Sequence, residues 1–243
     1  MSKAYFISDA HLGLGTKEEE KIKEQRLLSF LTHISKDADS LYILGDLFDA
    51  WFEYKTVIPK GFHRVISKLD ELVRKNINVY YLAGNHDFWM DSYFRDEIGI
   101  KTYLEAFDVN VDGKKIYLHH GDGFATNDTG YLILKKIFRN PINIKLFKLI
   151  HPNVGIRIAK KFSTTSRKYT SNKHYGEDDG MRKAAEKKIK EGYDIVMMGH
   201  RHVPSELKIE KGLYINLGDW INHFTYAEFT NGEIALKKWT DKV

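Results

Sequence analysis

The sequence predicts an α/β fold whose strands deliver polar residues to one edge. Two observations predict it. In the first third of the chain, short apolar runs alternate with amphipathic segments in the order strand, helix, strand, helix, strand. Further on, Asp112-Gly113 sits between two apolar stretches, a strong hairpin signal. The first pattern implies parallel pairing with right-handed crossovers; the second adds antiparallel strands.

Taken in order, Ala4 to Ser8 is a short buried strand that ends at Asp9-Ala10-His11. After the Gly13-Leu14-Gly15 turn, Ile22, Leu27, Leu28, Leu31 and Ile34 recur at near-helical spacing, predicting a helix from about Glu18 to Ser35. Leu41 to Leu44 forms the second strand and ends at Gly45-Asp46. A helix from about Phe62 to Lys75 leads to the strand Val79 to Leu82, which ends at Gly84-Asn85-His86-Asp87. Ala106 to Val111 and Lys115 to His119 flank the hairpin turn, and the latter runs into His120-Gly121-Asp122-Gly123. A basic segment follows, helical in pattern and broken at Pro141 and Pro152. A charged helix from about Asp179 to Glu191 precedes the buried strand Ile195 to Met198, which ends at Gly199-His200-Arg201-His202. From Glu206 onward the chain reads as short strands with turns at Lys211-Gly212 and Asn231-Gly232. Asn216, Asp219 and His223 in this tail are expected to be turn or surface residues.

A length of 243 residues suits one large domain spanning residues 1–243, with residues 129–175 inserted into it. A hydrophobic fraction of 42% supports a packed core. The chain has no cysteine, which excludes disulfides, thiolate metal sites and cysteine nucleophiles. An aspartate at position 9 comes too early for a signal peptide, and no run of about 18 uncharged apolar residues is present. The expected location is therefore cytoplasmic, resting on a membrane surface. Net charge is +5, yet Thr129 to Tyr175 alone holds eleven Lys and Arg and no Asp or Glu. A mildly acidic body thus carries one strongly basic segment, which points to an anionic partner.

Five strand ends carry Asp9 with His11, Asp46, Asn85 with His86, His120, and His200 with His202. On extended backbone, residues two apart project the same way, so each spaced pair aims two ligands into one cavity. Carboxylate, imidazole and amide donors without sulfur suit Mn²⁺ or Fe, with Zn²⁺ also compatible. Seven of these as ligands exceed what one catalytic ion with an open position takes; they suit two ions about 3.5–4 Å apart.

These blocks, in this order from Asp9 to His202, resemble the calcineurin-like metallophosphoesterases. The resemblance implies a four-layer α/β/β/α sandwich. It also implies that Asp9, His11 and His202 hold one divalent ion, that Asn85, His120 and His200 hold a second, and that Asp46 bridges them. Two cations make hydroxide available near neutral pH and stabilise charge in an in-line displacement. His86, outside the metal shell, is placed to donate a proton or hydrogen bond to the leaving oxygen. Asp87 either orients His86 or caps the turn.

Within the superfamily, Leu41 to Trp51, Asn85 to Phe88, Asp128 to Tyr131 and the helical segment after His120 resemble the UDP-2,3-diacylglucosamine hydrolases of lipid A biosynthesis. That implies hydrolysis at the α-phosphate to UMP and 2,3-diacylglucosamine 1-phosphate, with Mn²⁺ as the metal and the inserted helices as a lid. Tyr131, Ser166 and Lys173 would contact substrate by register, joined by Asn85, Asp122, Lys160 and Lys161. Many members of that group carry arginine where this chain has His86 and Ser163. The segment's aliphatic residues, interleaved with its cations, suit an acyl chain and an anionic bilayer. Alternatives are a phosphodiesterase or phosphatase on another nucleotide, and a nuclease. The cations are mixed with aliphatics rather than stacking aromatics, so no nucleic-acid partner is expected.

Overall fold

The computed structural model describes residues 2–124, 129–171 and 180–240, without the side chains of 129–131, 162 and 164–171. The strand–helix alternation is realised as β1 (Ala4–Ile7), α1 (Lys17–Ile34), β2 (Ser40–Leu44), α2 (His63–Arg74) and β3 (Asn78–Leu82). The start of α1 is set by a capping box in which Thr16 accepts from the Glu19 amide and Glu19 returns a bond to the Thr16 amide. A π-helical turn (Tyr93–Ile98) and a short strand, β4 (Lys101–Tyr103), follow without a sequence signal that predicted them. Next come the hairpin β5 (Phe107–Val111) and β6 (Lys114–Leu118). Asp112 and Gly113 both have positive φ, 47° and 85°, as a tight hairpin turn requires.

The basic segment forms three helices: α3 (Thr129–Phe138), α4 (Pro141–Phe147) and α5 (Pro152–Ser171). Both prolines open helices rather than interrupt them, because a first-turn residue needs no amide hydrogen. Asn140 caps α4 by accepting from the Ile142 amide at 2.8 Å. The chain finishes with α6 (Gly180–Lys190), β7 (Ile195–Met198), β8 (Ser205–Ile209), β9 (Gly212–Asn216), β10 (Thr225–Thr230) and β11 (Glu233–Lys238).

The strands make a six-stranded sheet, ordered β11-β10-β1-β2-β3-β4, and a five-stranded sheet, ordered β5-β6-β7-β9-β8. β1 through β4 pair in parallel, as do β6 with β7 and β7 with β9. Alternation along each central strand explains the layers. Phe6, Tyr42 and Leu44 face Ile116, Leu118, Met197 and Ile215 across the gap between the sheets. Tyr5, Ile7, Leu41, Ile43, Val79 and Tyr81 point the other way, onto Leu27, Phe30 and Leu31 of α1 and Val65 and Leu69 of α2. Met181, Ala185 and Ile189 of α6 cover Val196, Met198 and Tyr214 on the outer face of the second sheet. Two sheets flanked by helices result. Strands buried on both faces read as continuous apolar runs, which is why these were legible in the sequence.

Candidate metal centre

The carboxyl ends of β1, β2 and β3 from one sheet, and of β6 and β7 from the other, open onto one site. The expectation of extended backbone at the ligand pairs does not hold. Asp9, His11, Asp46, His200 and His202 all have positive φ, at 55°, 44°, 53°, 68° and 58°. Left-handed backbone turns each side chain inward immediately after its strand stops, at about 1–3 kcal/mol per non-glycine residue. Hydrogen bonds across the loops hold these conformations. The Asp9 amide donates to the Gly45 carbonyl at 3.1 Å and the His11 amide to the Asp46 carbonyl at 2.9 Å. The Trp220 amide donates to the Asp9 carbonyl at 3.0 Å.

The side chains converge as two overlapping groups. In the first, Asp9 Oδ1 lies 3.7 Å from His11 Nε2 and 3.4 Å from His202 Nε2, and the two Nε2 atoms are 3.2 Å apart. In the second, Asp46, His120 and His200 bring ligand atoms within 4.8 Å of one another. Asn85 joins it, with Oδ1 3.1 Å from His120 Nε2. Asp46 belongs to both, with Oδ2 3.5 Å from His11 Nε2 and 3.3 Å from His120 Nε2. All seven predicted ligands are therefore brought together.

The residues fit divalent cations. Asp9 Oδ1 is buried and receives no hydrogen bond, although the other oxygen of the same carboxylate is bonded by Ser8 Oγ and the His200 amide. His120 Nδ1 lies 2.7 Å from the Leu44 carbonyl, so it carries the hydrogen and leaves Nε2 directed at Asp46. Burial alone would raise the Asp46 carboxyl, but the imidazoles of His120 and His86 hold it well below the usual range. Burial disfavours an imidazolium at His120, yet Asp46 beside it pushes the pKa up to about 10. A cluster that draws in a proton in this way is one that a cation can occupy instead.

Comparison with known proteins agrees with this geometry. The calcineurin-like phosphoesterase family model matches residues 2–204. The chain belongs to that family. The calcineurin-like phosphoesterases are divalent-metal hydrolases of phosphate esters and anhydrides, and this protein is an enzyme of that kind. Over 99% of its length it is 33% identical to a UDP-2,3-diacylglucosamine hydrolase of Porphyromonas gingivalis, covering 98% of that protein. A UDP-2,3-diacylglucosamine hydrolase of Yersinia pseudotuberculosis is 31% identical over 95% of this chain and 96% of its own.

Within this phosphoesterase site, two expectations about the loop after β3 change. Asp87 is consumed as a clamp: its carboxylate accepts from the Gly84 amide at 2.7 Å, the Leu47 amide at 2.8 Å and the Tyr81 hydroxyl. Among the described residues it makes no hydrogen bond to His86, so it caps the turn rather than acting as a catalytic partner. The group that orients His86 is the backbone carbonyl of Asp49, 3.0 Å from Nδ1. Because a carbonyl only accepts, Nδ1 carries the hydrogen. Burial lowers the His86 pKa to about 4. His86 is therefore a neutral imidazole with a bare Nε2, and proton donation to a leaving oxygen requires that it first take up a proton.

The expected substrate contacts are only partly gathered. Ser163 and Ala159 of α5 line a pocket beside the metal centre with Asp49, Trp51, Asn85, His86 and Trp89. Lys160 and Lys161 lie on the exposed surface of α5 and do not line it. Asp122 is not open to a substrate: Lys135 Nζ of α3 sits 2.7 Å from its Oδ2. The side chains of Tyr131 and Ser166, and all of Lys173, lie outside the described residues.

Four supporting residues were not among the predicted site residues. Asn216 and Asp219, expected at turns or on the surface, are both 1% exposed. Asn216 donates to the Gly199 carbonyl at 2.8 Å. Asp219 accepts from the Ile221, Asn222 and His223 amides, with Oδ2 3.8 Å from His202 Nδ1. Asp49 Oδ1 lies 3.4 Å from His11 Nδ1. Lys23 reaches from α1 to donate to the His11 carbonyl at 2.5 Å and pairs with Glu20 at 2.6 Å. Only the buried lysine on an otherwise exposed charged helix could have been a signal, and burial is not written in the sequence.

Two predictions follow from this packing and charge. A Cβ at Gly84 would stand 2.1 Å from Asp46 Oδ1 and 2.6 Å from the Asp46 amide nitrogen, so Gly84→Ala must displace the shared carboxylate. Its affinity for Mn²⁺ by calorimetry should fall at least tenfold (about 1.4 kcal/mol) while the circular dichroism spectrum is kept. The raised pKa of His120 means that a cation must displace a proton at any pH below about 10. Mn²⁺ affinity should accordingly rise about tenfold per pH unit between pH 6 and 8; a flat profile would contradict the proton exchange.

Proposed function

We propose that this phosphoesterase hydrolyses UDP-2,3-diacylglucosamine to UMP and 2,3-diacylglucosamine 1-phosphate by attack on the α-phosphate, using two divalent ions, Mn²⁺ foremost. The observation that carries this reading is the pocket between Ser163 of α5 and His86: it joins the metal centre directly to the cationic, aliphatic helices. Near full-length similarity to two hydrolases of that substrate supports the same choice.

When bound, the ions supply Lewis acidity that activates water and neutralises phosphate charge. Asp9, His11 and His202 would hold one and Asn85, His120 and His200 the other, with Asp46 shared. The chain's own contribution is orientation. The Leu44 carbonyl fixes the tautomer of His120, and Asp49 fixes that of His86. His86 borders the pocket, and an anionic phosphate there would raise its pKa toward the range in which it donates to the leaving oxygen. His86 and Ser163, the two positions where many relatives carry arginine, line the same pocket. Both replacements thus fall on one pocket, from α5 on one side and the loop after β3 on the other.

In this reading α3 to α5 act as a lid that receives the acyl chains and rests on an anionic membrane. No helix of the described residues is long and apolar enough to cross a bilayer. Ile142, Leu146 and Leu149 are 66%, 58% and 82% exposed, beside the exposed cation Lys145. Aliphatic side chains so exposed, flanked by lysine, are those of a surface that sinks into a headgroup layer. In this reading the protein attaches peripherally, at the cytoplasmic face.

Protein loaded with Mn²⁺ should cleave UDP-2,3-diacylglucosamine at least about a hundredfold faster, by kcat/KM, than UDP-glucosamine, since remote binding energy is expressed at the reacting centre. Equal rates in a chromatographic assay of UMP formation would remove the lipid assignment and leave a phosphodiesterase of another nucleotide. The triple variant Ile142→Ser, Leu146→Ser, Leu149→Ser should bind phosphatidylglycerol vesicles at least ~tenfold more weakly in a sedimentation assay. Undiminished binding would place the membrane contact elsewhere.

A further inference from the structure

Asp122 lies two residues beyond the ligand His120, is 4% exposed, and turns its carboxylate toward the inserted helices. A buried carboxylate is costly unless paired. Lys135 Nζ is 2.7 Å from its Oδ2, and Arg139, the first residue past the end of α3, is 4.0 Å from the same oxygen. Arg139 also reaches two other loops. Its Nη1 donates to the Leu104 carbonyl at 3.0 Å and to Glu105 Oε1 at 2.9 Å, and its guanidinium stands 5.6 Å from the centre of the Phe88 ring. Two cations, one on α3 and one just past its end, therefore grip the loops that follow β6, β4 and β3.

Of the apolar side chains of the same helix, Leu132, Ile133, Leu134 and Ile137 are 42%, 55%, 42% and 48% exposed, and Phe138 at its end packs on Phe88 and Trp89. Ionic contacts therefore act beside this aromatic contact in seating α3 on the body. We propose that Asp122, Lys135 and Arg139 form an ionic latch that sets α3 in register over the metal centre. Lys135 and Arg139 are then positioning residues of the lid, and Asp122 is their anchor rather than a substrate contact. The functional consequence rests on the reading of α3 to α5 as a lid; the latch itself does not depend on which phosphoester is cleaved.

The test compares Lys135→Met, Asp122→Asn and the double variant in the full-length protein. Without substrate, hydrogen exchange of the α3 amides should quicken about tenfold in each single variant and no further in the double, because all three remove the same charge-assisted pair. Unchanged exchange, or acceleration that adds in the double, would overturn the latch. With Mn²⁺ present, Lys135→Met should raise KM for UDP-2,3-diacylglucosamine about tenfold at constant kcat. It should leave hydrolysis of bis(p-nitrophenyl) phosphate, which needs no lid, unaltered, and Lys135→Arg should restore the KM. If Lys135→Met raises KM while Asp122→Asn lowers it, Lys135 binds substrate directly and the latch is refuted. A wild-type protein that does not cleave the lipid nucleotide overturns the substrate reading instead, and the exchange result alone then decides the latch.

Discussion

The Asp46 carboxylate lies where the strand ends of the two sheets meet, with Oδ2 3.5 Å from His11 and 3.3 Å from His120 and Oδ1 accepting the His86 amide at 2.8 Å. It thus touches ligand groups from both sheets and the loop that bears His86. Its burial would raise its pKa, and only the surrounding imidazoles keep it ionised. A buried charge of this kind fixes its neighbours, because any that moved away would leave it uncompensated. The close approach of Gly84 follows from the same demand: the loop after β3 passes where a methyl group would overlap Asp46.

Strain and support are distributed around that carboxylate in a consistent way. Five ligand residues adopt left-handed backbone, a conformation that side chains disfavour. Groups that are not ligands brace the backbone around two of them and beside a third: Lys23 on the His11 carbonyl, the Trp220 amide on the Asp9 carbonyl, and Asn216 on the Gly199 carbonyl next to His200. The Asp87 carboxylate, with three donors, keeps the Gly84 turn closed. Ligand direction is thus set by parts of the chain as distant in sequence as α1 and the loop after β9. A site built this way is preorganised before any ion or phosphate arrives.

The inserted helices are attached differently. Phe147 packs on Phe52 and Trp89, the Trp89 indole donates to the Phe138 carbonyl at 2.9 Å, and Lys148 pairs with Asp91 at 2.6 Å. Trp89 and Asp91 belong to the same loop as Asn85 and His86, so the helices dock on the loop that carries the chemistry. Their outward aliphatic residues remain largely uncovered. Helices α3 to α5 are thus held to the body by aromatic and ionic contacts.

The sequence by itself determined the strand–helix order, the hairpin at Asp112-Gly113, the division of the basic segment at Pro141 and Pro152, and the seven residues that converge. Apolar runs, turn residues and proline act locally, and each ligand directly follows such a run, so their signals survive in one dimension. Tertiary structure alone decided what those residues do there. It turned the ligand pairs inward through left-handed rather than extended backbone. It assigned Asp87 to the turn and the Asp49 carbonyl to His86, brought Asn216, Asp219 and Lys23 under the ligands, and gave Asp122 to Lys135. Each of these depends on burial and on contact between segments far apart in sequence. Pairing and desolvation are properties of the folded neighbourhood, not of the residue that experiences them.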